Sequence, residues 1–338
     1  VKVVSRQWSV VSKRLFYFAL SASLIALSFP VEAQEPKKVP GIGFLTAASA
    51  SSQALRLEAL RRGLKDFGYF EGKNITIDYR FADGKLDRAP SLAAELVRLK
   101  VNIIVTGGGT STRAAKEATL TIPIVMGFDN DPVGNGFVAS LARPGGNVTG
   151  LSTLSPEISG KQLELLKEVV PKLSRVGVLG SSIAPGNPQA LKEIELAAGA
   201  FGVKLQYLEV RDPDDFETAF RAASKARADA VLVLPSPITL SQRKQIADLA
   251  AKSRLPATYW ATEFVDVGGL MSYSVSFTDL FQRAATYVDK ILRGTKPADR
   301  PACRASDKFE LVINLKAAKQ IGLTIPPNVL VRADKVIR

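Results

Sequence analysis

Val101-Asn102-Ile103-Ile104-Val105-Thr106-Gly107-Gly108-Gly109-Thr110-Ser111 is the stretch whose reading decides the fold. A short apolar run rich in β-branched residues gives way to three glycines and then to two hydroxyl residues that open a helical segment, Thr110 to Ala118. That order predicts a buried strand, a bare-backbone loop and a helix. The flanks repeat the unit. Gly41 to Leu45 is expected as a strand and Gln53 to Phe67 as a helix, with Leu57, Leu60, Leu64 and Phe67 at helical spacing and Gly68 as its stop. Strands at Ile75–Tyr79 and Ile122–Met126 and a helix at Ala89–Leu99 continue the series. A chain that alternates in this way builds a parallel sheet with helices on both faces.

The alternation resumes with new residues after Arg143-Pro144-Gly145-Gly146-Asn147, a turn-rich break that suits a passage between domains. Helices are expected at Ser159–Val169, Pro188–Phe201, Phe216–Ala226 and Ser241–Ala251, and strands at Val176–Leu179, Val203–Val210, Ala230–Leu234 and Ala257–Tyr259. A long helix, Phe277–Leu292, a Pro-rich and charged connector and a last strand, Phe309–Ile313, complete the pattern. The fold class is therefore α/β, with two parallel sheets.

In open α/β sheets, ligands sit beyond the carboxyl ends of the strands. This chain places small hydroxyls, bare backbone and a few carboxylates there. The loops are Thr46-Ala47-Ala48-Ser49, Thr106 to Ser111, Asp129-Asn130-Asp131-Pro132, Gly180-Ser181-Ser182 with Asn187, Pro235-Ser236-Pro237, and Trp260 to Glu263. Thr110 or Ser111 is expected to cap the helix behind the triple glycine and leave first-turn N–H groups for an anion. The loop lacks both the GxGxxG spacing of a dinucleotide site and the Lys-Ser or Lys-Thr of a P-loop. Asp129 has two readings, a partner for a ligand amine or a cap for a helix starting near Pro132. Trp260 and Tyr273 are candidates to pack against an apolar or aromatic ligand, although aromatic residues at strand ends also serve the core.

Composition removes several chemistries. No histidine occurs among the 338 residues, which takes away the usual general base near neutral pH and the commonest metal ligand. A single cysteine, Cys303, cannot form an internal disulfide. The EF-hand spacing is missing, so neither a metal nor a cofactor is expected. At the N-terminus, Lys2, Arg6, Lys13 and Arg14 precede an apolar run from Leu15 to Pro30, followed by Val31-Glu32-Ala33. This reads as a cleavable signal peptide over residues 1–33, because the run is shorter than the roughly 20 residues that span a bilayer. The net charge is +13, of which the first 33 residues hold +3. The remaining cations are mixed with Glu and Asp along helices rather than gathered into a basic face, so no nucleic-acid partner is expected.

Five stretches together resemble one family: Ala142 to Gly150, Asp131-Pro132-Val133, Leu270-Met271-Ser272-Tyr273, Ala284 to Leu292, and Lys308 to Asn314. They are similar to the ABC transporter substrate-binding proteins of the tryptophan-binding-protein-like family, over nearly all of the chain beyond the signal. Ser274-Val275-Ser276 stands where that family usually has a Gly-Pro turn, and Ala302-Cys303-Arg304-Ala305 replaces a more acidic connector. The resemblance implies a type I periplasmic binding protein, with two Rossmann-like lobes joined by three crossovers. The lobes would be residues 34–150 with 275–304, and 151–274 with 305–338. Carried over by position, the cleft would use Thr46, Gly109, Thr110, Ser111 and Asp129 from the first lobe and Ser181, Asn187, Ser236 and Trp260 from the second, with Tyr273 near a crossover. Thr110 and Ser111 would take an acidic group, Asp129 an amine, and Trp260 or Tyr273 an apolar part. The expected protein works in the periplasm, traps a small solute and delivers it to an ABC permease in the inner membrane, a shuttle role that a monomer suits. A periplasmic sensing subunit is the alternative, and a secreted enzyme using the cleft carboxylates a more distant one.

Overall fold

A computed structural model describes residues 39–153, 155–299, 303–304 and 309–338. The expected signal peptide lies outside the described residues, and so does most of the connector around Cys303. Two sheets form. The first has six strands in the order β11-β5-β4-β3-β1-β2: β1 Gly41–Thr46, β2 Thr76–Phe81, β3 Ile103–Gly107, β4 Ile124–Asp129, β5 Val148–Ser152 and β11 Cys303–Arg304. All its pairings are parallel. Strands such as β3 and β4 are buried along their whole length, as a sheet covered on both faces requires.

The second sheet has the order β13-β12-β10-β9-β8-β6-β7: β6 Arg175–Gly180, β7 Lys204–Glu209, β8 Ala230–Val233, β9 Ala257–Tyr259, β10 Met271–Ser274, β12 Glu310–Asn314 and β13 Lys335–Ile337. One pairing departs from the expected parallel pattern, because β10 and β12 run antiparallel. Topology gives the reason. The chain leaves the second sheet at the end of β10 to build the helix Phe277–Leu292 and β11 of the first, and it returns from that side, so β12 enters in the opposite direction.

Strand β5 was not expected, since Gly150 interrupts its apolar pattern. Gly150 holds φ at +132°, and a Cβ there would lie 2.3 Å from the Met126 carbonyl oxygen. Only glycine lets the backbones of β4 and β5 come this close. The helix near Pro132 that one of the two readings of Asp129 required is absent: residues 132–139 form turns and bends, with Asp131 Oδ1 accepting from the Gly134 N–H at 2.8 Å.

The helix Phe277–Leu292 packs on Ala50–Asp66 and on the first sheet, burying Leu280, Phe281, Ala284, Ala285 and Val288 completely. Each such side chain withdrawn from water contributes about 1.5–3 kcal/mol for Leu, Val or Phe. With the single cysteine unable to form an internal bridge, this apolar packing sets the frame that holds the strand ends in place.

Candidate ligand-binding cleft

The carboxyl ends of both sheets face one cleft. The first half contributes Ala48, Gln53, Gly107, Gly108, Gly109, Thr110, Phe128 and Asn130, and the second contributes Ala184, Pro185, Pro235, Ser236, Pro237, Leu240 and Trp260. The lining borders about 380 Å³ of space, open solvent at its mouth included.

The halves touch around this space. Pro185 lies so close to Gly109 that a Cβ on the glycine would come within 2.8 Å of the proline Cβ, and Gly186 abuts Asn130 in the same way at 2.9 Å. On another side the Ser49 N–H donates to Ser241 Oγ at 3.1 Å. Next to the cleft, the fully buried Arg56 donates from Nε to Glu263 Oε1 at 2.8 Å, with Nη2 at 2.7 Å from the same oxygen. Its guanidinium stacks 4.1 Å from the Phe277 ring centre and 5.4 and 5.5 Å from those of Phe128 and Trp260. Burial lowers the Arg56 pKa, while Glu263 works against that shift. A buried pair of this kind ties the first half to the second.

Several polar atoms in and around the cleft are buried with no hydrogen-bond partner among the described residues: Thr110 Oγ1, Asp129 Oδ2, both amide atoms of Gln53, Ser181 Oγ and Asn187 Oδ1. Asp129 is half engaged. Its Oδ1 accepts from the Asp131 N–H and from Asn135 Nδ2, both at 2.9 Å, while Oδ2 is aimed at Gly109, where a Cβ would lie 2.8 Å from it. Burial raises its pKa to about 7 against the two hydrogen bonds that oppose the rise. The helix Gly109–Ala118 starts beside it. Its N-cap is Gly108, which offers no side chain, rather than the expected Thr110 or Ser111. Gly108 holds φ at +113°, and Phe128 packs 3.2 Å from where its Cβ would be.

Of the residues singled out in the sequence, Gly109, Thr110, Ser236 and Trp260 line the cleft, with the Asp129 carboxyl directly behind Gly109. Others have structural duties. Ser111 Oγ accepts from the Ala47 N–H at 3.0 Å, and Thr46 Oγ1 accepts from the Ala48 N–H and donates to the Gly107 carbonyl, so both tie loops together rather than facing the space. Ser236 caps the short helix Pro237–Ser241 in a capping box with Thr239. Trp260 Nε1 donates to Thr239 Oγ1 at 3.3 Å, which leaves the indole to act through its apolar faces. Asn187 donates to the Ser181 carbonyl behind Ala184 and Pro185. Tyr273 is the residue the structure moves away from the lining. Its ring packs on Phe309 at 5.6 Å, and it borders a smaller neighbouring recess with Ser274, Phe277 and Trp260.

Gln53, Arg56 and Phe128 were not anticipated. A signal for the first two was available, because Gln53 and Arg56 fall on the same helical face as Leu57, Leu60 and Leu64, and a polar residue on an apolar stripe marks a contact other than simple core. Among the described residues no cluster of acidic, Cys or His side chains could hold a metal, and no helix is long and apolar enough to cross a membrane.

Comparison with known proteins assigns this architecture. The sequence profile of the ABC transporter substrate binding protein family matches residues 42–337. A tyrosine-binding protein of Clostridioides difficile (strain R20291) is 26% identical over 290 residues, 86% of this chain and 83% of that protein. The crystal structure of a conserved domain protein from Vibrio cholerae superposes with a TM-score of 0.83 at 30% identity, covering 88% of this chain and all of that one. An ABC domain from Streptococcus pneumoniae, solved in complex with L-Trp, superposes at 0.82 with 28% identity over 88% of this chain and 99% of its own. The family is one of substrate-binding proteins rather than enzymes. The chain belongs to the ABC transporter substrate-binding protein family.

Proposed function

We propose that this protein captures a free aromatic amino acid in the periplasm, closes its two lobes on it and delivers it to an ABC permease in the inner membrane. The observation that carries this reading is the presence, beside a helix start without a side-chain cap, of two buried polar groups unpartnered among the described residues: the Asp129 Oδ2 acceptor and the Thr110 hydroxyl, a potential donor. An ammonium group answers Asp129. A carboxylate answers the Thr110 hydroxyl and the free N–H groups of the first helical turn, where the helix dipole adds roughly 0.3–2 kcal/mol. Both charges of an amino acid would be met at one end of the cleft, and its aromatic side chain would pack among Phe128, Trp260, Leu240 and the prolines 235 and 237, which line the same cleft. Similarity to a tyrosine-binding protein and to a structure holding L-Trp supports the same ligand class.

Thr46 and Ser111 hold the loops that shape this end, and in the second lobe Ser181 and Asn187 carry buried polar atoms without partners among the described residues. Export through the N-terminal signal and a monomeric state suit a carrier that shuttles between solute and permease. Neither a cofactor nor a nucleic acid has a part in this role. A thermal-shift panel across the common amino acids, aromatic acids and small carboxylates tests it. At 100 times its dissociation constant, the correct ligand adds about 2.7 kcal/mol of stability. A shift confined to aromatic amino acids is expected, and no shift with any of them contradicts the proposal.

A further inference from the structure

We propose that Gln53 is a specificity-determining residue that reads a hydrogen-bonding group on the ligand's ring, so that the cleft selects ring-hydroxyl or ring-N–H amino acids over phenylalanine. The inference rests on the amino-acid reading above. Gln53 is fully buried, lines the cleft, and has no partner for either its amide oxygen or its amide nitrogen among the described residues. An amide held away from water without partners is costly, and such groups are otherwise paired in folded proteins. A polar group supplied by the ligand relieves that cost.

The contacts between the halves show which end of the cleft Gln53 serves. Pro185 seats on Gly109 beside Asp129, which marks the end where the amino acid's two charges are held. The Ser49–Ser241 hydrogen bond marks another, because Gln53 donates its own N–H to the Ser49 carbonyl one turn into the helix. One turn further on, Arg56 stacks on Phe277 and Trp260. Gln53 therefore enters from the side of Leu240 and Trp260, where the remaining wall is apolar and the indole N–H is already given to Thr239. Gln53 is the one cleft-lining side chain on that side with unsatisfied hydrogen-bonding capacity among the described residues. A carboxamide both donates and accepts, so it meets a phenolic hydroxyl or an indole N–H equally. A site built to bond a ring substituent rejects the analogue that lacks it, because its buried group is then left unpaired.

Isothermal titration calorimetry of the whole protein with L-tyrosine, L-tryptophan and L-phenylalanine tests this, on wild type, Gln53→Leu and the milder Gln53→Asn. Wild type should bind tyrosine and tryptophan at least tenfold more tightly than phenylalanine. Gln53→Leu should weaken the first two tenfold or more and leave phenylalanine unchanged or tighter, with Gln53→Asn in between. Equal binding of all three by wild type, or equal weakening of all three by both variants, overturns the role of Gln53 while leaving the amino-acid reading intact. If wild type binds none of the three, both fall.

Discussion

The two walls of the cleft are built on opposite principles. The first-lobe wall presents bare glycine backbone and polar atoms unpartnered among the described residues, Thr110 Oγ1 and the Gln53 amide, with Asp129 Oδ2 behind Gly109. The wall opposite presents prolines, Leu240 and the face of Trp260, and its polar groups are largely consumed internally: Ser236 by its capping box and the indole N–H by Thr239. One wall offers recognition chemistry and the other offers apolar cover. The difference points to a division of labour: on the proposed reading, the Asp129 side would orient the ligand and the opposite wall would cover it. The Arg56–Glu263 pair joins the two halves.

This comparison can be broken at several points. The largest effect is expected at the tie between the lobes. Glu263→Ala leaves the buried Arg56 guanidinium without its anion, at a cost of about 3–5 kcal/mol to the closed form. Scattering should then show an extended protein even with ligand, and an unaltered closed form would remove the pair from the account. Next comes Asp129→Ala, which leaves a ligand ammonium unpaired and should weaken amino-acid binding by about 2–5 kcal/mol in calorimetry. Trp260→Ala removes apolar cover alone and should cost about 1–3 kcal/mol, with the enthalpy of the charged contacts retained. If Trp260→Ala proves more harmful than Asp129→Ala, the division between the walls is wrong. The smallest effect is expected at Ser236→Ala, which loses a helix cap worth about 0.5–2 kcal/mol of folding stability and should change affinity little.

pH sharpens the same contrast. Burial raises the Asp129 pKa from 3.8 to about 7. Between those values the folded chain holds a proton that the unfolded chain has released, so this group makes folding less favourable as pH rises through the window. A bound ammonium reverses the sign, because it stabilises the ionised carboxylate. Ligand-induced stabilisation, read by thermal shift, should therefore grow from pH 5 to pH 8, and Asp129→Asn should flatten that rise.

Much of the frame was legible in the residues. The strand-glycine-helix unit at 101–118 and its repeats foretold two α/β sheets with the cleft at their carboxyl ends, because hydrophobic periodicity is a local property. The antiparallel β12 was not legible, since its direction follows from where the chain returns and no local pattern encodes that. Strand β5 was hidden because Gly150 breaks the apolar run for the sake of close backbone contact with Met126. At the site, Thr110, Asp129 and Trp260 stood out as residues following strands. Ser111 and Thr46 carried the same signal, yet their hydroxyls are taken up by neighbouring loops, which depends on how β1 and β3 lie side by side. Gln53 was obscured by its place within an amphipathic helix whose other buried positions belong mainly to the core.

The central claim is that the lobes shut on an aromatic amino acid. Small-angle X-ray scattering of the purified protein with and without saturating L-tyrosine or L-tryptophan tests it most directly. A fall in the radius of gyration on adding the ligand is the predicted result, and curves that coincide while calorimetry shows the ligand bound would contradict it.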